Sequence, residues 1–403
     1  MGPRRSHGRL TLTVLCVAAC GCRRAPVNPV EREPQRSAAT VAKASCDQPC
    51  ALNQICANGS CPRYPRLVTR SLTSCLIAHE GSAKCWTMIE PGKPPIVRAL
   101  PAEVTPLLAL DGDSASTCAL SREQHLHCWG ERWGRAFREP TKLPIASLPA
   151  NLTVRQFSNH YTVCALLSDD SLRCTKLSSE DAPLQFSSSV SFEADPAIGV
   201  AAGLITCVLR RSGAVKCFGD AVSREFDTQG KDVALSGRAL ALAVGSRHAC
   251  ALLESGHVAC WGDNGRGQLG RGHDFWSGNL PLADGPFEIP LGTTAKVVGI
   301  TAGDDHTCAW FADGRFKCWG ANGEGQLGLG DLNDRGSHPD QMGAALPFVD
   351  LGAGARVLSV DAGPSTTCAL LADQRVKCWG WGYTPPDVNA QTATGDKITP
   401  LAL

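Results

Sequence analysis

Apolar side chains along this chain recur at every second position in short runs, and glycine, proline or Asp-Gly breaks each run. The stretch TCAWFADGRFKCW at 307–319 shows the pattern. Folded as a hairpin over the loop Ala312-Asp313-Gly314, it sets Trp310 against Phe316, Ala309 against Lys317 and Cys308 against Cys318. The glycine takes the left-handed position that such a loop requires. Because strand side chains alternate, Cys308, Trp310, Phe316 and Cys318 share one face.

Six other stretches carry the same spacing, giving the pairs Cys75–Cys85, Cys118–Cys128, Cys164–Cys174, Cys207–Cys217, Cys250–Cys260, Cys308–Cys318 and Cys368–Cys378. Two residues after the first cysteine stand Ile77, Leu120, Leu166, Leu209, Leu252, Trp310 and Leu370. Two before the second stand Ala83, Leu126, Leu172, Val215, Val258, Phe316 and Val376. Both columns are wholly apolar. The residue just before the second cysteine is instead basic or imidazole in six repeats (Lys84, His127, Arg173, Lys216, Lys317, Lys377) and Ala259 in the other. A half-buried hairpin with opposed cysteines explains all three columns.

Repeats of 43–60 residues point to a propeller. Further strands precede the hairpins: FEIPL and KVVGITAG before Cys308, LPFVDL and RVLSVDAG before Cys368. With the hairpin arms they make four strands per repeat, the content of a propeller blade. RLVTRSLTSC leaves little room for a first strand in the first repeat, and ITPLAL at 398–403 is a spare strand after the last. The expected fold is therefore all-β: a seven-bladed β-propeller of four-stranded antiparallel blades over 67–403. ITPLAL would enter the first blade and close the ring, leaving no free edge.

Opposed strand residues lie within disulfide reach, so each pair reads as a cross-strand staple. Zinc would need four ligands drawn from neighbouring hairpins, and a redox dithiol usually has two intervening residues. Twenty-one cysteines also suit an oxidising compartment. The 41 glycines and 26 prolines favour turn-rich β structure. A net charge of +1 with no basic stripe gives no electrostatic reason to expect nucleic acid as partner.

The N-terminus has a basic stretch, MGPRRSHGR, then the apolar run LTLTVLCVAA, too short to span a bilayer. VAAC at 17–20 resembles the lipobox of bacterial lipoproteins, which implies that 1–19 is a signal peptide and that Cys20 carries a diacylglyceryl thioether. Cys16 leaves with the signal, and Cys22 is left over. Residues 20–45 read as a flexible tether, too poor in large apolar side chains to fold, with a reach of roughly 25 Å. Cys46, Cys50, Cys56 and Cys61 form a small disulfide-rich knob at 46–61, for which a four-cysteine zinc site is the alternative.

HTCAWFADGRFKCWGANGEGQLGLGD at 306–331 and HACALLESGHVACWGDNGRGQLGRGH at 248–273 resemble the regulator of chromosome condensation repeat. The resemblance covers about 67–403 and implies a seven-bladed propeller. The WGxNxxGQLG tail is complete only in the fifth and sixth repeats. The paired cysteines resemble exported bacterial members of the family. The namesake's nucleotide exchange and chromatin binding do not carry over, because no functional loop matches residue by residue. A secreted β-lactamase inhibitor is another bacterial relative of the fold.

No nucleophile elbow, zincin, P-loop or dinucleotide fingerprint occurs. No catalytic residue, metal or cofactor is therefore expected. His248 and His306 share one repeat position and read as strand-entry hydrogen-bonding groups. The tryptophan column (Trp86, Trp129, Trp261, Trp319, Trp379) reads as blade packing. Binding candidates are aromatics in the connections: Trp133 in GERWGR, Phe275 and Trp276 in GHDFWSGN, Trp381 and Tyr383 in WGWGYTPP. The expected protein is a monomeric, non-enzymatic binding or scaffold module. It is displayed on the bacterial envelope, at the outer membrane, by a lipid anchor, its only membrane contact. Its partner is an extracellular or envelope protein or ligand. The alternatives are an inhibitor of a secreted enzyme, or a lyase or hydrolase with its site on the ring mouth.

Overall fold

A computed structural model describes residues 66–70, 73–78, 81–87, 96–100, 106–112, 117–129, 141–143, 151–160, 162–176, 188–219, 229–273 and 285–381. The signal peptide, tether and knob assigned from sequence, with Cys20, Cys46, Cys50, Cys56 and Cys61, lie outside them. The described residues form seven antiparallel sheets in chain order, the pattern of a seven-bladed propeller. The first blade holds β1 (Arg66–Arg70), β2 (Thr73–Ile77), β3 (Ala83–Thr87) and β4 (Ile96–Ala99). The second holds β5 (Leu107–Gly112), β6 (Thr117–Ser121), β7 (Leu126–Trp129) and β8 (Thr141–Leu143). The third holds β9 (Val154–His160), β10 (Thr162–Leu167), β11 (Ser171–Lys176) and β12 (Ser188–Ser191). The fourth holds β13 (Ala197–Ala202), β14 (Thr206–Arg210), β15 (Val215–Phe218) and β16 (Lys231–Val233). The fifth holds β17 (Ala239–Val244), β18 (His248–Leu253), β19 (Val258–Gly262) and β20 (Phe287–Glu288). β21 (Val297–Ala302), β22 (His306–Phe311) and β23 (Phe316–Gly320) make the sixth, and β24 (Val357–Ala362), β25 (Thr366–Leu371) and β26 (Val376–Gly380) the seventh.

The central hairpins have the register that alternation predicts: Cys308 faces Cys318, Ala309 faces Lys317 and Trp310 faces Phe316. Phe311 N–H donates to Arg315 O at 2.9 Å, and Gly314 closes the turn with φ +84°. Hydrogen-bonded pairs alternate, so Cys308 and Cys318 fall at a non-hydrogen-bonded pair, where side chains approach most closely. Disulfides join Cys75–Cys85, Cys164–Cys174, Cys207–Cys217, Cys250–Cys260, Cys308–Cys318 and Cys368–Cys378, with Cα atoms 4.0–4.1 Å apart. Cys118 is also disulfide-bonded and lies opposite Cys128.

The structure corrects the sequence reading in three places. First, the outer strand follows its hairpin instead of preceding it. Phe287 and Glu288 of FEIPL pair with Cys260 and Ala259 of the fifth blade, and Val349 N–H of LPFVDL donates to Phe316 O of the sixth at 3.1 Å. Each third strand is thus completed by the chain that has just left it, the shortest antiparallel connection. Second, the first blade takes all four strands from 66–99, where the sequence left little room for one of them. Residues 398–403 lie outside the described residues.

Third, the hairpins of the later blades are buried on both faces rather than one. Every residue of β18, β22, β23, β25 and β26 is buried. A blade within a ring has a neighbour on each side, so neither face meets water. In the last two blades the basic column follows suit: Lys317 is 1% exposed, and its ammonium donates to Leu291 O and Gly343 O at 2.9 Å each. Lys377 Nζ donates to Leu351 O at 2.9 Å. Burial lowers the Lys317 pKa, with the Arg315 charge adding to the effect. Between the seventh and first blades, Leu67 and Trp86 pack with Leu370, Val376 and the Cys368–Cys378 bridge.

Candidate functional site

The first strands of all seven blades line one central cavity of about 120 Å³. The residue opposite each blade's first cysteine is Val68, Asp111, Ser158, Ala201, Ala243, Thr301 or Asp361 in blade order. The four polar ones each accept an N–H from the next blade's first strand. Asn159 N–H donates to Asp111 Oδ2 at 3.1 Å. Ala202 N–H donates to Ser158 Oγ at 3.0 Å, and Ala362 N–H to Thr301 Oγ1 at 3.2 Å. Thr69 N–H donates to Asp361 Oδ2 across the seam between the last blade and the first. The hydroxyls donate their own protons to carboxylates, Ser158 to Asp111 of the preceding blade at 2.7 Å and Thr301 to Asp361 of the following blade at 3.3 Å. Asp111 and Asp361, two of the three carboxylates that line the cavity, therefore clasp blades together.

At one end of the cavity the turns after the first strands crowd together. A Cβ built on Gly203 would lie 1.9 Å from Gly245 O, on Gly245 2.3 Å from Gly303 O, and on Gly303 2.2 Å from Gly363 O. These glycines are dictated by contact between blades, since no side chain fits. The third strands also end on this face, so the connections to the outer strands leave from it; we call it the tail face.

The buried histidines belong to the same architecture. His248 Nε2 lies 2.9 Å from Thr307 Oγ1, and His306 Nε2 lies 2.9 Å from Thr367 Oγ1 in the next blade. Each threonine hydroxyl donates to a carbonyl, Thr307 to Gln268 O at 3.0 Å and Thr367 to Gln326 O at 2.8 Å. It must therefore accept from the imidazole, which fixes the Nε2–H tautomer. Burial depresses the pKa to about 4 for His248 and about 3 for His306, so both rings are neutral at pH 7. The strand-entry hydrogen-bonding role inferred from sequence is the one they play, with a partner in the neighbouring blade.

The glycine-rich tails explain the tryptophan column. Gln268 O, in the fifth blade's tail, accepts Trp319 Nε1–H at 3.0 Å, and Gln326 O accepts Trp379 Nε1–H at 2.9 Å. Asn322 Oδ1 accepts Leu327 N–H at 2.9 Å, and its amide donates to Asp331 O at 2.8 Å, folding the tail back on itself. Trp261 Nε1 has no partner among the described residues; the preceding blade's connection at 220–228 lies outside them. Trp86, Trp261, Trp319 and Trp379 are all buried packing groups.

Trp381 differs. It follows β26 on the tail face, its N–H donates to Ser365 O at 2.9 Å, and its side chain is 43% exposed. The aligned positions in the two preceding blades are Asp263 and Ala321, whose N–H groups donate to Arg247 O and Asp305 O. Nearby Asp305 has its pKa raised, first by burial and then by the Asp304 and Asp263 charges, while Arg266 and Arg247 oppose the rise. Trp133, Phe275, Trp276 and Tyr383 lie outside the described residues. Trp133, Phe275 and Trp276 fall in third-to-outer-strand connections, at 130–140 and 263–286, and Tyr383 follows β26. Among the described residues, no group of three or more His, Cys, Asp or Glu is placed to hold a metal.

Comparison with known proteins defines the class. The regulator of chromosome condensation (RCC1) repeat matches residues 240–268, 297–326 and 357–383, and a second description of that repeat matches 255–310. The chain thus carries RCC1 repeats in an RCC1-like β-propeller, and the matches fall on the three last blades. It is similar to the probable E3 ubiquitin-protein ligase HERC6 of Homo sapiens, 32% identical over 41% of this chain and 15% of that protein. It is also similar to the ultraviolet-B receptor UVR8 of Arabidopsis thaliana, 34% identical over 41% of this chain and 34% of that one. In each case the match spans about a third or less of the relative's length. Among solved structures, Prp20p from Saccharomyces cerevisiae superposes with a TM-score of 0.61 at 19% identity, covering 81% of this chain and 87% of that one. Human WBSCR16 gives 0.56 at 15% identity, covering 78% and 90%.

Proposed function

We propose that this chain is a non-enzymatic binding scaffold, held at the bacterial cell envelope through a lipid on Cys20, that recognises an envelope or extracellular protein with its tail face. The carrying observation is Trp381, an exposed aromatic on that face beside a series of buried ones. Trp133, Phe275, Trp276 and Tyr383 also follow third strands in the sequence, which supports choosing this face for the binding surface. Asp111, Asp361 and the two buried imidazoles are engaged in holding blades together, which favours a rigid platform over acid–base chemistry. Exposed aromatics on a rigid frame supply contact area at low entropic cost.

The test is cross-linking and capture from the native envelope with the full chain and a Trp381→Ala variant. Loss of at least tenfold in captured partner, with an unchanged melting temperature, supports the reading; full capture by the variant overturns the site. Turnover of a substrate with a Trp381-independent rate would favour the enzymatic alternative.

A further inference from the structure

The first strand of each blade turns one main-chain N–H toward the axis at the same place. In the fifth and sixth blades, Gly245 N–H donates to His248 O and Gly303 N–H to His306 O, both at 2.9 Å. Val244 and Ala249 are therefore a non-hydrogen-bonded pair, as are Ala302 and Thr307. The N–H groups of Val244 and Ala302 point away from the second strand and into the axial cavity, which both residues line.

In the other blades a side chain accepts this N–H. Asn159, Ala202, Ala362 and Thr69 use the oxygen of the residue opposite the preceding blade's first cysteine. Gly112 uses Asp111 Oδ1 of its own strand at 2.9 Å. The residues that would serve Val244 and Ala302 are Ala201 and Ala243, which carry no side-chain oxygen. Neither N–H has an acceptor among the described residues. A donor withdrawn from bulk water costs free energy until an acceptor reaches it. Here two such donors stand in neighbouring blades on a cavity of about 120 Å³.

The surroundings decide the chemistry of the acceptor. Asp111, Asp304 and Asp361 line the same cavity, so a carboxylate or phosphate would enter against three acidic groups. Arg66, the arginine of the lining, is turned to Leu110 O at 3.2 Å. An uncharged hydroxyl oxygen accepts the N–H groups without that repulsion. Its own proton has a partner too, because the C=O groups of Val244 and Ala302 face the axis by the same alternation. The volume lies well below that of a pocket for a drug-sized ligand, which restricts the occupant to a few heavy atoms.

We infer that the axial cavity binds a small uncharged polyol through the N–H groups of Val244 and Ala302. Ala201 and Ala243 create the site, since serine or threonine there would supply the oxygen from the protein itself. The site uses no part of Trp381 and is independent of the tail-face surface.

The probe is glycerol, titrated into the full chain while the amide NMR signals of Val244 and Ala302 are followed, with acetate as the anionic comparison. Glycerol should move both signals along a saturating curve, and acetate should not. Ala201→Ser/Ala243→Ser supplies both hydroxyls, as Ser158 does for Ala202, and should weaken glycerol binding at least tenfold. A linear drift without saturation means solvent contact alone and overturns the site. So does a saturating response that the folded double variant retains. Saturation by acetate in place of glycerol overturns the ligand class. Should the double variant not fold, the two titrations of the unmodified chain decide, together with Ala243→Ser alone.

Discussion

Two histidines show how a residue that looks chemical can be architectural. His248 and His306 are fully buried, neutral, and hydrogen-bonded to a threonine in the neighbouring blade. Their folded pKa values, about 4 and about 3, lie below the usual 6.5, so the unfolded chain binds more protons between those limits. Their contribution to stability is complete above pH 6.5 and lost as pH falls through the folded values. Denaturant titrations at pH 7, 5.5 and 4.5 should show stability falling, and the double variant His248→Gln/His306→Gln should show a shallower fall. An identical pH slope in the variant would remove the histidines from the account. The sequence located these residues and their bonding role, but the threonines that receive them come from another repeat. Lys317 and Lys377 were harder to place: a basic residue between apolar positions reads as solvent-facing until a second blade brings carbonyls to its ammonium.

At the level of the strand and turn, most of the hairpin was legible. Its register depends on alternation and on Gly314, both local, and the cysteines oppose each other for the same reason. The glycines at 203, 245 and 303 have no local reason in the sequence, because a carbonyl that excludes a side chain at each belongs to the adjacent blade. They supply a sharp comparison. Gly303→Ala places a methyl group against Gly363 O and should cost at least about 2 kcal/mol by overpacking. Gly323→Ala meets open space at a φ outside the left-handed region and should stay within about 0.5 kcal/mol. Thermal denaturation of the two variants separates them; equal melting temperatures would refute the crowding argument. The outer strands were assigned to the wrong neighbour for a related reason. FEIPL lies between two hairpins, and only pairing tells which one it joins.

Across the whole ring, the side chain of Asp361 connects the last blade to the first by accepting Thr69 N–H, and its other oxygen receives Thr301. Asp361→Ala leaves a buried N–H without its acceptor and should destabilise the ring by about 1–3 kcal/mol. Asp361→Asn, which keeps an acceptor oxygen, should lose less. Chemical denaturation checks both, and a neutral Asp361→Ala would show that the seam is held by its apolar packing alone. The sequence by itself determined the number of blades, through the count of its repeats, and the hairpin register, the blade disulfide partners and the apolar face between them, which follow from alternation and turn chemistry within one repeat. Only the tertiary structure decided which blade owns each outer strand, why the second face is buried, and that axial Asp, Ser and Thr clasp the next blade. Those properties depend on what stands opposite a residue in a neighbouring repeat, and one repeat carries no information about that distance.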